Sequence, residues 1–319
     1  MDIGRISRQS HALRRFFPGI GLVALFAMTL TLQALCPMPG WADARFVYNS
    51  RNPNTLFGNF YYTLGTQLAA QGQLLSAEPM LSKASHLLPD NPFVLMNDGI
   101  VLEALGKSPE ALARYQEAIR LSPSLTQAYY SQGLLQDKLG QTEQGIQSLR
   151  KALELSPNNA AINYDLGVFY AKQDNFEQSA IYSKKAADGD SEFAEAFNNY
   201  GYALAQLGRY DEAIIAIDRS LKLKPDSAAA LDSKGFALFG LGRYEEALKA
   251  YNDAVKFDPG IGEIYRHLGQ VHEKLKQANP CMKAYQTYLQ LTPDATDKIQ
   301  IEEKIKQCKR WPSSNTRNN

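Results

Sequence analysis

Four histidines and three cysteines are the scarce reactive side chains of this 319-residue sequence, and their spacing limits the chemistry they support. His267 and His272 stand five apart, which puts them on different faces of a helix and not in the one-face arrangement that a zinc site uses. Asp188, Asp190 and Glu192, in the stretch DGDSE, match part of a calcium loop, but the remaining oxygen ligands have no counterpart. A polar helix end capped by Gly189 accounts for them more simply. The sequence has no glycine-rich phosphate loop, no GxSxG and no HExxH. No catalytic group, metal or cofactor is expected. Tyr164, Tyr202, Phe236 and Tyr251 could line a ligand cage, although aromatics at helical spacing are more often core.

The elements that position these residues repeat. LGRYDEAI at 207–214 returns as LGRYEEAL at 241–248, an interval of 34 residues. Glycine recurs at that interval at Gly65, Gly99, Gly133, Gly167, Gly201, Gly235 and Gly269. Proline does so at Pro89, Pro123, Pro157, Pro225, Pro259 and Pro293. Within 228–261, Leu231, Gly235, Leu238 and Phe239 form one apolar stripe that stops at Gly242. Tyr244, Ala247, Leu248, Tyr251, Ala254 and Val255 form a second, which ends before Pro259. Each unit is therefore two antiparallel helices joined by a tight turn. Asn91-Pro92, Ser108-Pro109 and Asn279-Pro280 read as helix starts, a capping residue followed by proline at the first helical position. A glycine inside the first helix costs about 1 kcal/mol relative to alanine, which implies a close approach by a neighbouring helix. The third unit, with Gln132, Gln136 and Gly145 at core positions, and the fourth, with Ser179 and Ser183, are expected to be the softest.

In this pattern the sequence resembles the tetratricopeptide repeat family: Tyr61, Leu64, Gly65, Leu68, Ala77, Leu81, Ala84 and Pro89 in the first unit, and Phe197, Gly201, Leu204, Ala213, Ile217 and Pro225 in the fifth. The resemblance implies an all-α fold, a right-handed superhelical solenoid of seven repeats at 58–91, 92–125, 126–159, 160–193, 194–227, 228–261 and 262–295. The segment 45–57 leads in, and 296–309, with Ile299, Ile301, Ile305 and Cys308, reads as the capping helix that a solenoid needs. The tail 310–319 is expected to be disordered. In this family the first helix of each unit lines a concave groove. By register that surface comprises Tyr62, Asn97, Tyr130, Tyr164, Asn198, Asn199, Tyr202, Asp232, Phe236, Arg266 and Lys274, with Asn198, Asn199, Tyr202 and Phe236 at its centre. Chaperone-binding members clamp a terminal carboxylate with lysine and asparagine where this chain has Tyr62 and Thr66. The resemblance therefore implies a non-catalytic scaffold that takes a protein or an extended peptide, and the N-terminal segment read below adds the expectation of a role in envelope complex assembly. AFNNYGYALAQLGRYDEAI also resembles the repeats of glycosyltransferases, and the alternative is a targeting or substrate-recognition subunit of such an enzyme complex.

At the N-terminus Arg5, Arg8, Arg14 and Arg15 precede the apolar GIGLVALFAMTLTLQAL and an A-x-A site at 42–44. Residues 1–44 thus read as a cleaved signal peptide or as an uncleaved membrane anchor. Pro37 and Pro39 favour cleavage. Both readings carry the repeats across the cytoplasmic membrane, to the periplasm or another extracytoplasmic side, and leave membrane contact to the N-terminal segment alone. Residues 45–319 hold 30 basic and 31 acidic side chains, which offers no footprint for nucleic acid. Outside the cytoplasm, Cys281 at the start of the last second helix and Cys308 at the end of the cap could form a disulfide; two buried thiols are the alternative.

Overall fold

The computed structural model describes residues 52–311. The readings for the signal or anchor at 1–44, for 45–51 of the lead and for 312–319 of the tail lie outside the described residues. All regular elements among the described residues are helices, and Cα packing divides them into two compact units with the boundary after Leu155.

The first unit holds three antiparallel pairs: α1 (Pro53–Ala70) with α2 (Leu74–Leu87), α3 (Pro92–Ala104) with α4 (Ser108–Leu121), and α5 (Thr126–Lys138) with α6 (Thr142–Leu155). The second holds four: α7 (Ala160–Lys172) with α8 (Phe176–Gly189), α9 (Ala194–Gln206) with α10 (Tyr210–Leu223), α11 (Ala228–Gly240) with α12 (Tyr244–Phe257), and α13 (Gly262–Lys274) with α14 (Ala278–Leu291). A last helix, α15 (Lys298–Lys309), packs on α14. The first helix begins at Pro53, ahead of the register expected for the first repeat, because Asn52 caps it by accepting from the Asn54 N–H.

The recurring glycines have a common physical cause, though not quite the expected one. A Cβ at Gly235 would lie 2.6 Å from the Tyr251 ring, and one at Gly201 would lie 2.5 Å from the Ile217 side chain. Sixteen residues after each in-register glycine stands the side chain that lies over it: Leu81, Tyr115, Leu149, Ser183, Ile217, Tyr251 and Tyr285. The close approach is thus mainly a side chain of the second helix laid on the bare first-helix backbone, with backbone itself also in contact at Gly65, Gly133, Gly167 and Gly201. Tyr115 and Tyr285 also donate from their hydroxyls to Glu103 and Glu273, at 2.9 and 2.7 Å.

Turn geometry, more than capping side chains, starts the second helices. Gly242 adopts φ +75°, and the Arg243 N–H returns to the Leu238 carbonyl, so the chain reverses directly into α12. Asn91 caps α3 as expected, accepting from Phe93 N–H at 3.0 Å. Ser108 and Asn279, by contrast, lie inside α4 and α14, where Lys107 and Gln277 precede the helices without side-chain capping bonds. Gly189 likewise ends α8 within the helix, and the cap residue is Asp190 in an extended conformation. In the fourth repeat Ser183 stands where the others carry Leu, Ile or Tyr, and its buried Oγ has no hydrogen-bond partner.

The terminal helix seals α14 with Ile301, Ile305 and Cys308, while Ile299 is 77% exposed. Residues two apart on a helix diverge by about 200°, which is why Ile299 cannot share the face of Ile301. Cys281 and Cys308 form a disulfide, their Cα atoms 6.2 Å apart. Trp311, within the segment expected to be a free tail, packs on the same cluster, with Lys276 Nζ 4.7 Å from its ring centroid.

Candidate functional site

Within the second unit, successive first helices α7, α9, α11 and α13 touch one another, and the side chains between them make a continuous row. Phe176, opening α8, meets Tyr202 of α9 edge-on at 6.2 Å between ring centroids. Tyr202 faces Phe236 of α11 at 6.4 Å, and Phe236 faces His267 of α13 at 6.1 Å. Below the row, His267 lies 5.3 Å from the buried Tyr251 ring, and its Nδ1 is 2.8 Å from Asp232 Oδ1. The helices hold the outer members firmly because their opposite faces carry the core: Leu204, Ala205 and Ala237 pack under Phe236, and Leu238, Ile264 and Leu268 lie farther along.

Tyr202 is 36% exposed and offers the most open ring of the row. Asn198 and Asn199 sit one turn before it on α9, both half-buried, and the Asn198 Oδ1 is enclosed without a hydrogen-bond partner. Charged groups in the neighbourhood are largely occupied with one another: Arg266 Nε donates to Glu263 at 2.6 Å, and Lys234 pairs with Asp218 at 2.7 Å. Lys274 is exposed at the end of α13. What remains is an aromatic and amide surface suited to neutral, partly apolar ligands.

Three of the expected groove residues do other work. Asn97 is buried in the first unit, where its Nδ2 donates to Tyr62 Oη at 2.7 Å and to the Phe93 carbonyl at 3.0 Å. It ties α3 to α1 and does not present its amide to a ligand. Burial pushes the Tyr62 phenol up, with the Asn97 bond pulling partly the other way, so Tyr62 stays a neutral hydroxyl. Tyr164 packs on Phe193 at 4.8 Å and on the Ala186, Ala187 and Ala196 cluster, which makes it part of the repeat seam. Tyr130 is half-buried on α5 of the first unit. Asn198, Asn199, Tyr202, Asp232, Phe236 and Arg266 all lie in the second unit, on the first helices that carry the row.

Two members of the row were not singled out from sequence as site residues. His267 occupies the sixth position of its repeat, the same register that selected Asn199, so the signal was present. Phe176 belongs to a second helix, and no first-helix register finds it. The two histidines have separate partners, since His272 Nδ1 meets Gln277 Oε1 at 2.6 Å and burial holds its imidazole below the ordinary range. Among the described residues no group of three or more His, Cys, Asp or Glu side chains is placed to hold a metal ion, and no helix is long and apolar enough to cross a membrane.

Stacked helix pairs, locked by a glycine under a large side chain and open along their first helices, define a helical-repeat scaffold, a solenoid by class. The chain belongs to the tetratricopeptide repeat family: profiles described as tetratricopeptide repeat match residues 192–259 and 234–295, and one described as TPR repeat matches 99–140 and 138–174. This fold is typical of protein–protein interaction and generally non-catalytic. No curated protein matches the chain in sequence. Among solved structures, YrrB, a TPR protein with an unusual peptide-binding site, is similar at 24% identity and a TM-score of 0.51, over 56% of this chain and 92% of YrrB. A tetratricopeptide repeat protein from Parabacteroides merdae is similar at 18% identity and a TM-score of 0.60, over 79% of this chain and 98% of its own. A chain of the APC/C Cut9–Hcn1 hetero-tetramer is similar at 16% identity and a TM-score of 0.61, over 78% of this chain and 48% of its own.

Proposed function

We propose that the first helices of residues 194–274 hold an extended, neutral peptide segment of a partner protein, and that the chain serves as a non-catalytic assembly scaffold on the extracytoplasmic side of the membrane. The observation that carries this reading is the row Phe176, Tyr202, Phe236 and His267, with centroids spaced 6.2, 6.4 and 6.1 Å. An extended chain rises about 3.3 Å per residue, so its alternate side chains recur at about 6.6 Å. A peptide laid along the row therefore meets one ring with every second residue. Asn199 supplies an amide for the peptide backbone. The paired state of Arg266 and Asp232 argues against a charged ligand. YrrB, which shares the fold, carries a peptide-binding site. The disulfide at Cys281 and Cys308 agrees with an oxidising compartment, as the basic and apolar N-terminal pattern suggested.

The test is binding of a fluorescein-labelled peptide with aromatic or aliphatic side chains at alternate positions, read by fluorescence polarisation. The N199A/Y202A double variant is expected to weaken it by about 30-fold or more, the consequence of a central aromatic hot spot of about 2 kcal/mol, with circular dichroism and Tm unchanged. A folded double variant that binds as well as the parent would overturn the assignment.

A further inference from the structure

We propose that the first unit carries a second and separate binding site, a trough for a short neutral oligosaccharide on the flank formed by α4, α5 and α6. The trough measures about 840 Å³ and is walled by five glutamines, Gln116, Gln132, Gln136, Gln144 and Gln147, together with Tyr129. Its size falls within the range of about 300–1,000 Å³ usual for small-ligand sites.

The repeat itself provides an independent observation. At the position of Gln136 four of the six other units carry a leucine of the apolar seam, Leu68, Leu102, Leu204 and Leu238, and the remaining two carry Tyr170 and His272. Gln136 is buried there, and its Oε1 accepts from the Ser148 hydroxyl at 2.7 Å; both residues line the trough. Placing a carboxamide where leucine would pack sacrifices stability unless the polar group has a use. The third repeat departs from its own pattern where the trough lies, so what reads in the sequence as a soft core is here the floor of a polar site.

The chemistry of the walls selects the ligand. A carboxamide both donates and accepts, which matches a sugar hydroxyl that also does both. Tyr129 offers one ring face against which the C–H face of a pyranose can lie. Apolar subsites spaced for the side chains of a peptide are missing from this lining, in which Ile119 is the one aliphatic residue. Lys151 at the rim is paired with Glu154 at 2.7 Å, so Arg150 is the one lining charge that this pair does not offset, against five neutral carboxamides.

The experiment titrates the full chain with maltotriose, cellotriose and chitotriose, and in a separate arm with the alternating peptide described above, by isothermal calorimetry. At least one trisaccharide is expected to bind with a Kd of about 1 mM or tighter. Two variants then locate it. Gln144 and Gln147 are exposed, so Q144A/Q147A keeps the fold and is expected to weaken the sugar by about tenfold or more. Q136L installs the leucine that four of the other repeats carry and is expected to weaken it similarly while Tm stays level or rises. Failure of all three sugars to bind, sugar binding that both folded variants retain, or competition of the peptide for this same site would each refute the proposal. Because Q144A/Q147A leaves the aromatic row untouched, its outcome is independent of the peptide assignment.

Discussion

Replacing Tyr251 with alanine is expected to destabilise the second unit by about 3–5 kcal/mol, the cost of emptying a fully buried aromatic position. Its ring lies over Gly235, fills the space between α11 and α12, and is enclosed by Ala247, Ala250 and Ile264. The companion substitution tests why the glycine is there. Gly235→Ala alone is expected to cost about 1–3 kcal/mol, because its Cβ would sit 2.6 Å from the Tyr251 ring. In the Tyr251→Ala background the added methyl enters vacated space, and the helix-propensity gain of up to about 1 kcal/mol then decides the sign. Denaturant unfolding of the four proteins should show strong non-additivity, well beyond the 0.5 kcal/mol scatter of independent sites. Additive penalties would mean that the glycine and the tyrosine do not answer to each other.

The second large effect concerns the cap. Cys281 and Cys308 close a loop of 27 residues, and loop-closure entropy assigns such a bond about 3.5 kcal/mol. The C281S/C308S variant is expected to lose most of this, seen as a lower Tm that reductant does not change further. The cap would still dock in the variant, since Lys304 Nζ pairs with Glu273 at 2.7 Å and Tyr288 Oη donates to Asp297 at 2.7 Å. Alkylation of the denatured, unreduced protein from its native compartment should leave both cysteines unmodified. Two alkylated cysteines, with a Tm insensitive to reductant, would contradict the bond and remove one support for an extracytoplasmic location.

The repeat was legible in the sequence because glycine, proline and the large residues recur at a fixed interval, and one cause acts on each: a helix end, a turn, or a seam one side chain wide. Less legible was the physical occupant of each seam. That Tyr251 covers Gly235 follows from the rotation of α12 about its own axis, which the spacing of apolar residues constrains only to a stripe. The same uncertainty in rotation explains Asn97 and Tyr164. Both fall in the expected groove register, yet Asn97 turns toward Tyr62 and is buried, and Tyr164 packs against Phe193. Ser108 and Asn279 looked like caps because capping preferences describe helices approached from an extended chain, whereas here a left-handed turn residue, Gly106 or Lys276, feeds the helix directly. His267 was read as one of a histidine pair unsuited to metal, although its register as the sixth residue of its repeat matches that of Asn199. Its place in the row depends on Phe236 and Asp232, which lie one repeat away and become its neighbours only when α11 and α13 stack.

The central claim is that the aromatic row of α9, α11 and α13 is where a partner peptide lies. The most direct measurement places the photocrosslinker p-benzoylphenylalanine, one position at a time, at Tyr202, at Phe236 and at Ile215, which is 72% exposed on the second helix α10. Irradiation in the cell, followed by mass spectrometry of the adducts, then reports which face holds a partner. Crosslinks from positions 202 and 236 to one and the same short segment of a partner, with none from 215, are the predicted result. Crosslinks from 215 alone, or equally from all three positions, would contradict it and move the binding site to the second helices.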